Sequence, residues 1–275
     1  MKSRPALKKL SVLLVGLASA ATVQAATVVT EWTYSLTGVW QSFAPTAGIT
    51  LSGDEKTLSW GAPATTGGNQ SSLMITDPAA PGNVVTQITG DSPQLGTTAT
   101  GITLTHNNNP IFAPSLTSAV LRATLNLTAA QPAEAVVGGG PGPLPPLLYD
   151  ILFTETPNTA GTCVIGSSPT PCNDIFVQQT GFLNQPLTYN GNDYFINIFP
   201  TSGGVLSTLS DAACAAAGAA DGCLGFSTPE GQSTALQFGF TISTERFSQV
   251  PEPGILALLG IGLAAGALTG RRRRA

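Results

Sequence analysis

Apolar and polar residues alternate in LRATLNLT (121–128), where Leu121, Ala123, Leu125 and Leu127 share one face. They do so again in ALQFGFTI (235–242), with Leu236, Phe238, Phe240 and Ile242. A period of two rich in apolar and aromatic side chains is the mark of a half-buried strand. LLYDILF (147–153), DIFVQQT (174–180) and YFINIF (194–199) extend the series. Turn-forming clusters separate these stretches at 80–83 (APGN), 191–193 (GND) and 201–204 (TSGG). The sequence therefore predicts an all-β body, an antiparallel β-sandwich of jelly-roll-like type. About 225 residues are enough for one substantial core. One short helix is expected, with Asp211 capping AACAAAG (212–218) and Gly218 ending it.

AVVGGGPGPLPP (135–146) is the strongest break in the pattern. Neither flank carries a core signature of its own. A long exposed loop within one domain is favoured over a linker between two.

The chain is not uniform in charge. Lys2, Arg4, Lys8 and Lys9 precede an apolar run from Leu10 to Ala21, and Val23-Gln24-Ala25 supplies a small residue at its edge. That is the pattern of a secretory signal, residues 1–25, cleaved after Ala25. The alternative is a retained anchor, but the run is shorter than the roughly 20 residues a span needs. Four more basic residues, Arg271 to Arg274, lie at the other end. The body, 26–249, keeps only Lys56, Arg122 and Arg246. Of 15 acidic residues only Glu252 falls outside it, so 14 remain and the body carries −11. A body so acidic lacks the basic footprint that nucleic acid requires, so nucleic acid is not expected as a partner. Charged residues are 9% of the chain, far below the roughly 25% of an average soluble domain, so Thr, Ser, Asn and Gln carry much of the solubility.

The four cysteines suit an oxidising compartment. Eight residues separate Cys163 from Cys172, and eight separate Cys214 from Cys223. Of the three possible connectivities, the two local pairs are favoured as loop staples, each stabilising by roughly 2–3 kcal/mol. A zinc site is the rival, and its usual C-x₂₋₄-C spacing is missing.

The C-terminal stretch VPEPGILALLGIGLAAGALTGRRRRA (250–275) has three parts. Pro251-Glu252-Pro253 is followed by a 17-residue run, 254–270, and then by Arg271, Arg272, Arg273 and Arg274. As a helix the run is about 25 Å long, a minimal membrane span. The arginines would stay cytoplasmic, leaving the body outside. This arrangement resembles the PEP-CTERM sorting signal. The resemblance implies an exosortase-like membrane protease as partner. It also implies transient inner-membrane anchoring through 254–270. Delivery would be to the cell surface or extracellular matrix of a Gram-negative bacterium that makes exopolysaccharide, with biofilm or floc as the setting. An anchor without processing is the plainer alternative.

LTHNNNPI (104–111) contains Thr105, His106 and Asn108 in a Thr-His-x-Asn arrangement, preceded by LSWG (58–61) and QSSL (70–73). This is similar to the THxN family of PEP-CTERM proteins, a resemblance that implies no activity.

His106 is the only histidine. No G-x-S-x-G elbow accompanies it, its neighbours are asparagines that suit zinc poorly, and no EF-hand loop occurs. Neither a catalytic residue, a metal site nor a cofactor is therefore expected. ITLTH reads as a strand and NNNP as the turn after it, with Thr105 and His106 hydrogen-bonding across that turn. Trp32, Trp40 and Trp60 are expected in the core, the alternative being an exposed platform for sugar rings. The expected function is a non-enzymatic structural or adhesive surface protein, with exopolysaccharide as the candidate ligand. A carbohydrate-binding module is the alternative. A secreted hydrolase ranks behind it, since it would need a pair of carboxylates beside a cleft.

Overall fold

The computed structural model describes residues 27–88, 98–136, 141–158, 163, 172–179, 182–202 and 206–247. The expected signal (1–25), Pro251-Glu252-Pro253, the span 254–270 and Arg271–Arg274 lie outside the described residues.

The strands are β1 (Glu31–Ala44), β2 (Ile49–Leu51), β3 (Thr57–Trp60), β4 (Ala62–Pro63), β5 (Ser71–Thr76), β6 (Gly82–Gln87), β7 (Ala99–Asn107), β8 (Ile111–Phe112) and β9 (Ser118–Gln131). They continue with β10 (Gly142–Pro143), β11 (Leu147–Thr154), β12 (Asp174–Gln178), β13 (Phe182–Tyr189), β14 (Asn192–Pro200), β15 (Ser207–Thr208), β16 (Leu224–Thr228) and β17 (Ser233–Ser243). Among the described residues the one α-helix, α1, spans Asp211–Ala216.

One layer runs β15-β16-β12-β11-β9-β1 and the other β14-β17-β7-β5-β3-β2, with β13 added on β14. β6 joins the layers, pairing antiparallel with β1 and parallel with β17. The expected antiparallel sandwich is thus mixed at this seam. β9, β11 and β12 neighbour one another in the first layer, while in the second β5 and β7 are neighbours although β6, in the seam, lies between them in the chain.

The two faces meet in an aromatic core. Tyr34 of β1 stands edge-on to Phe240 of β17 at 4.8 Å. Trp32 stands edge-on to Tyr194 of β14 at 5.2 Å, and Tyr149 of β11 lies 5.7 Å from Phe238. The alternation read from 121–128 and 235–242 is realised, since Leu121, Leu125, Leu236 and Phe240 are all buried. A cavity lined by Leu36, Ile102, Leu121 and Phe238, among others, holds about 20 Å³, room for about one water. The core draws on both sides of 135–146, and in this segment Gly142–Pro143 pairs with Leu127 and Asn126 of β9.

Both layers close tightly where side chains are absent. A Cβ on Gly101 would stand 2.6 Å from the Phe238 carbonyl oxygen, so only glycine lets β7 approach β17 there. Lys56 is turned inward, donating to the Gly38 carbonyl at 3.0 Å and pairing with Asp77.

β12 is buried on both faces. Phe176 stacks on Phe226 at 4.4 Å, and Ile175 and Val177 pack with Ala213 and Ala217 of the α1 region. Both local disulfides, Cys163–Cys172 and Cys214–Cys223, are formed, and the second ties α1 to the approach to β16. The helix cap is one residue earlier than expected. Ser210 Oγ accepts from the Ala213 amide at 3.3 Å, and Asp211 is the first helical residue. Gly218 ends the turn at φ +74°. Of the expected turn 80–83, Gly82 and Asn83 belong instead to β6, where Gly82 leaves room for the Tyr34 ring.

Candidate functional site

LSWG, QSSL and THNNN, distant in sequence, pack on one another. β7 lies between β5 and β17, with His106 opposite Leu73 and Thr234. The asparagines fix the chain leaving β7 onto QSSL. Asn107 donates to Ser72 Oγ at 3.0 Å, Asn109 donates from its amide nitrogen to Ser71 Oγ at 3.1 Å, and Asn109 Nδ2 donates to the Gln70 carbonyl at 2.9 Å.

Alternation along β7 sends His106 inward, and it is 1% exposed. Its ring is near-parallel to Trp60 at 5.9 Å and edge-on to Phe153 of β11 at 4.9 Å. The expected hydrogen bonds across a turn are not made. Neither ring nitrogen has a partner, because the side chain points into the sandwich and not along the loop. Burial lowers its pKa to about 3, so the imidazole is neutral.

What His106 faces is acidic. Its Nε2 is 4.0 Å from Asp174 Oδ2, beyond hydrogen-bonding reach. Asp174 opens β12 and is 1% exposed. Its Oδ1 accepts from the Thr156 amide at 2.8 Å and from the Thr156 hydroxyl at 3.2 Å. Glu155 follows β11, and its Oε2 accepts from the Trp60 indole at 3.3 Å. The two carboxyl groups are close enough for the charge of Asp174 to bear on Glu155. Both are acceptors when ionised, so neither can satisfy the other unless one carries a proton. Burial, then the charge of Asp174, pushes Glu155 up to about 9. Burial pushes Asp174 up to about 7, against the pull of the Thr156 amide. Glu230, in the turn between β16 and β17, is raised by burial as well.

Asn108 completes the cluster. It is 1% exposed and donates to the Thr228 carbonyl at 2.9 Å, while Thr228 sits opposite Asp174 in the β12–β16 register. Asn108 Oδ1, Glu155 Oε1, Asp174 Oδ2 and Thr228 Oγ1 are all buried without a hydrogen-bond partner. A groove of about 620 Å³ lined by Leu116, Phe153, Thr154, Glu155, Thr156 and Ala217, among others, reaches the cluster at Glu155.

The three tryptophans form no sugar platform. Trp32, Trp40 and Trp60 are at most 2% exposed, and each indole N–H is used, by Thr86, Lys56 and Glu155 respectively. Of the sequence-predicted site residues, the structure brings His106 and Asn108 to one place and leaves Thr105 on the opposite, half-exposed face of β7. The carboxylates around His106 were missed. They lie at the ends of strands far along the chain, and only their rarity in so weakly charged a body marks them.

Among known proteins, residues 249–274 match the family model for the PEP-CTERM protein-sorting motif. The match indicates a chain exported and sorted by an exosortase, with transient anchoring before surface display. No curated protein matches the chain.

Proposed function

We propose that the body is a non-enzymatic structural or adhesive protein of the cell surface or extracellular matrix, and that it works beside exopolysaccharide in biofilm or floc. The observation that carries this reading is the sorting-motif match at 249–274. Residues 1–25 act as a signal peptide, 26–249 form the exported domain, and an exosortase-like protease cuts near Pro251-Glu252-Pro253. Membership in the THxN family fits the packing of LSWG and QSSL around Thr105, His106 and Asn108.

Intact mass of the body recovered from cells and medium tests the reading. The expected product starts at Ala26, ends near residues 250–254, and weighs about 4 Da less than its reduced form, two hydrogens per disulfide. A membrane-bound chain still ending in Arg271–Arg274 would overturn the sorting half.

A secreted hydrolase is the second reading, favoured by the Glu155–Asp174 pair beside a groove. Against it, Asp174 is 1% exposed, out of a substrate's reach. Hydrolysis of esters, peptides or glycosides by the wild-type body, lost in Glu155→Gln, would replace the first reading. The groove is also where a carbohydrate-binding module would take a glycan, and retardation in glycan gels tests that.

A further inference from the structure

We propose that Asn108 Oδ1, Glu155, Asp174 Oδ2 and Thr228 Oγ1 form a buried calcium site, with Glu230 adding negative charge beside it.

Each carboxylate has one oxygen engaged and one left over. The Trp60 indole holds Glu155 Oε2, and the Thr156 amide and hydroxyl hold Asp174 Oδ1. Glu155 Oε1 and Asp174 Oδ2 remain buried and unmatched. Buried charge of one sign is tolerated only when paired or bound to a metal. Among the described residues the only basic group within 4.0 Å of any of these carboxylates is His106, and neither of its ring nitrogens makes a hydrogen bond to them. Lys56 is committed to Asp77, and Arg246 lies over the Phe195 ring. A divalent cation between Glu155 and Asp174 would balance both carboxylate charges.

Two further donors point to the same ion. Asn108 reaches across from β7 to the Asp174–Thr228 pair, held through its Nδ2, with its Oδ1 free. Thr228 Oγ1 is free as well, and as Asp174's cross-strand partner it shares a face with it.

The chemistry selects a hard cation. The set holds neither a thiolate nor a ring nitrogen, the ligands zinc usually takes. Amide, hydroxyl and carboxylate oxygens in a mixed set are what calcium takes, six to eight at about 2.3–2.6 Å. Water entering along the groove at Glu155 completes the number.

The test uses the full chain purified in detergent and stripped with EGTA. Calorimetry with CaCl₂ should give saturable binding of one ion. At about a hundredfold excess over Kd the melting temperature should rise by roughly 5–10 °C. MgCl₂ and ZnCl₂ at the same concentrations should give less. Asp174→Asn and Glu155→Gln should each weaken calcium about tenfold or more. Thr228→Val, close in shape, should weaken calcium while the chain still folds in EGTA, which covers the case where the carboxylate variants do not fold. Absence of saturable binding up to about 10 mM, beyond the range of extracellular calcium modules, would overturn the site. Calcium binding unchanged in Thr228→Val and Glu155→Gln, or tighter binding of zinc, would do the same.

Discussion

His106 Nε2 and Asp174 Oδ2 face each other across 4.0 Å inside the sandwich, one from each layer, with no hydrogen bond between them. Both groups are desolvated and neither is satisfied by the other. Folding leaves an unmet electrostatic demand here, and its cost can be measured from either side.

From the imidazole side, His106→Phe should leave stability unchanged or raise it by about 1 kcal/mol. The ring already sits between Trp60 and Phe153. A phenyl group keeps that packing and removes two buried polar atoms without partners, each of which costs about 1–3 kcal/mol when unsatisfied. Urea unfolding of the two proteins side by side measures the difference. A loss above about 2 kcal/mol would mean that a ring nitrogen has a partner in solution.

Glycines at close approaches give a graded prediction. Gly101→Ala puts a methyl 2.6 Å from the Phe238 carbonyl oxygen, a backbone atom at the irregularity in the β7–β17 pairing and opposite Pro200 of β14. Gly38→Ala meets Ile102 Cδ1 at 2.7 Å, the tip of a side chain that can turn away. Gly101→Ala should cost about 1–3 kcal/mol, the usual range for overpacking, and Gly38→Ala less. Thermal melts giving the reverse order would show that β7 is free to move off β17.

The disulfide at α1 should matter locally. With Cys214→Ala and Cys223→Ala together, the loss should be about 2–3 kcal/mol, the entropy of a short closed loop. α1 has only six residues and depends on Ser210, Gly218 and this bridge. Hydrogen exchange should therefore rise first at 211–217 and at Ile175 and Val177 beneath it, while β1 and β9 stay protected. Uniform loss across the core would contradict a local staple.

The layers were legible because their information is local. Leu121 to Leu127 and Leu236 to Ile242 announce buried faces by alternation alone, and the spacing of Cys163, Cys172, Cys214 and Cys223 announces the staples. Which strand neighbours which was not legible. Nothing near Ile242 or Ser243 announces parallel pairing with Thr86 and Gln87. The cluster failed for the same reason. His106 was read against Asn107, Asn108 and Asn109, its neighbours in sequence, whereas its neighbours in space are Trp60, Phe153 and Asp174. Asp174 opens the stretch DIFVQQT, and only pairing β11 with β12 brings it beside Thr156 and Glu155.

From the carboxylate side, the demand should appear as a pH dependence that calcium removes. Glu155 and Asp174 have folded pKa values raised to about 9 and about 7. The folded chain therefore holds these protons more tightly than the unfolded chain does. The stability they contribute is complete below the ordinary carboxylate range and is lost as pH rises through about 7 and then about 9. His106 acts in the opposite sense. Its pKa is depressed to about 3, so its contribution is complete above its unfolded value near 6.5 and is lost as pH falls towards about 3. Below about 6.5 the two effects oppose each other, and between about 6.5 and 9 the carboxyl pair acts alone of the two. In EGTA the melting temperature should fall across that upper window, and less steeply in Glu155→Gln, whose amide stays neutral throughout. With CaCl₂ present the cation balances both carboxylate charges, and the fall should flatten in the wild type. A melting temperature in EGTA that is level or rising from pH 6.5 to 9 would show that the two carboxyls are not held together in the folded chain.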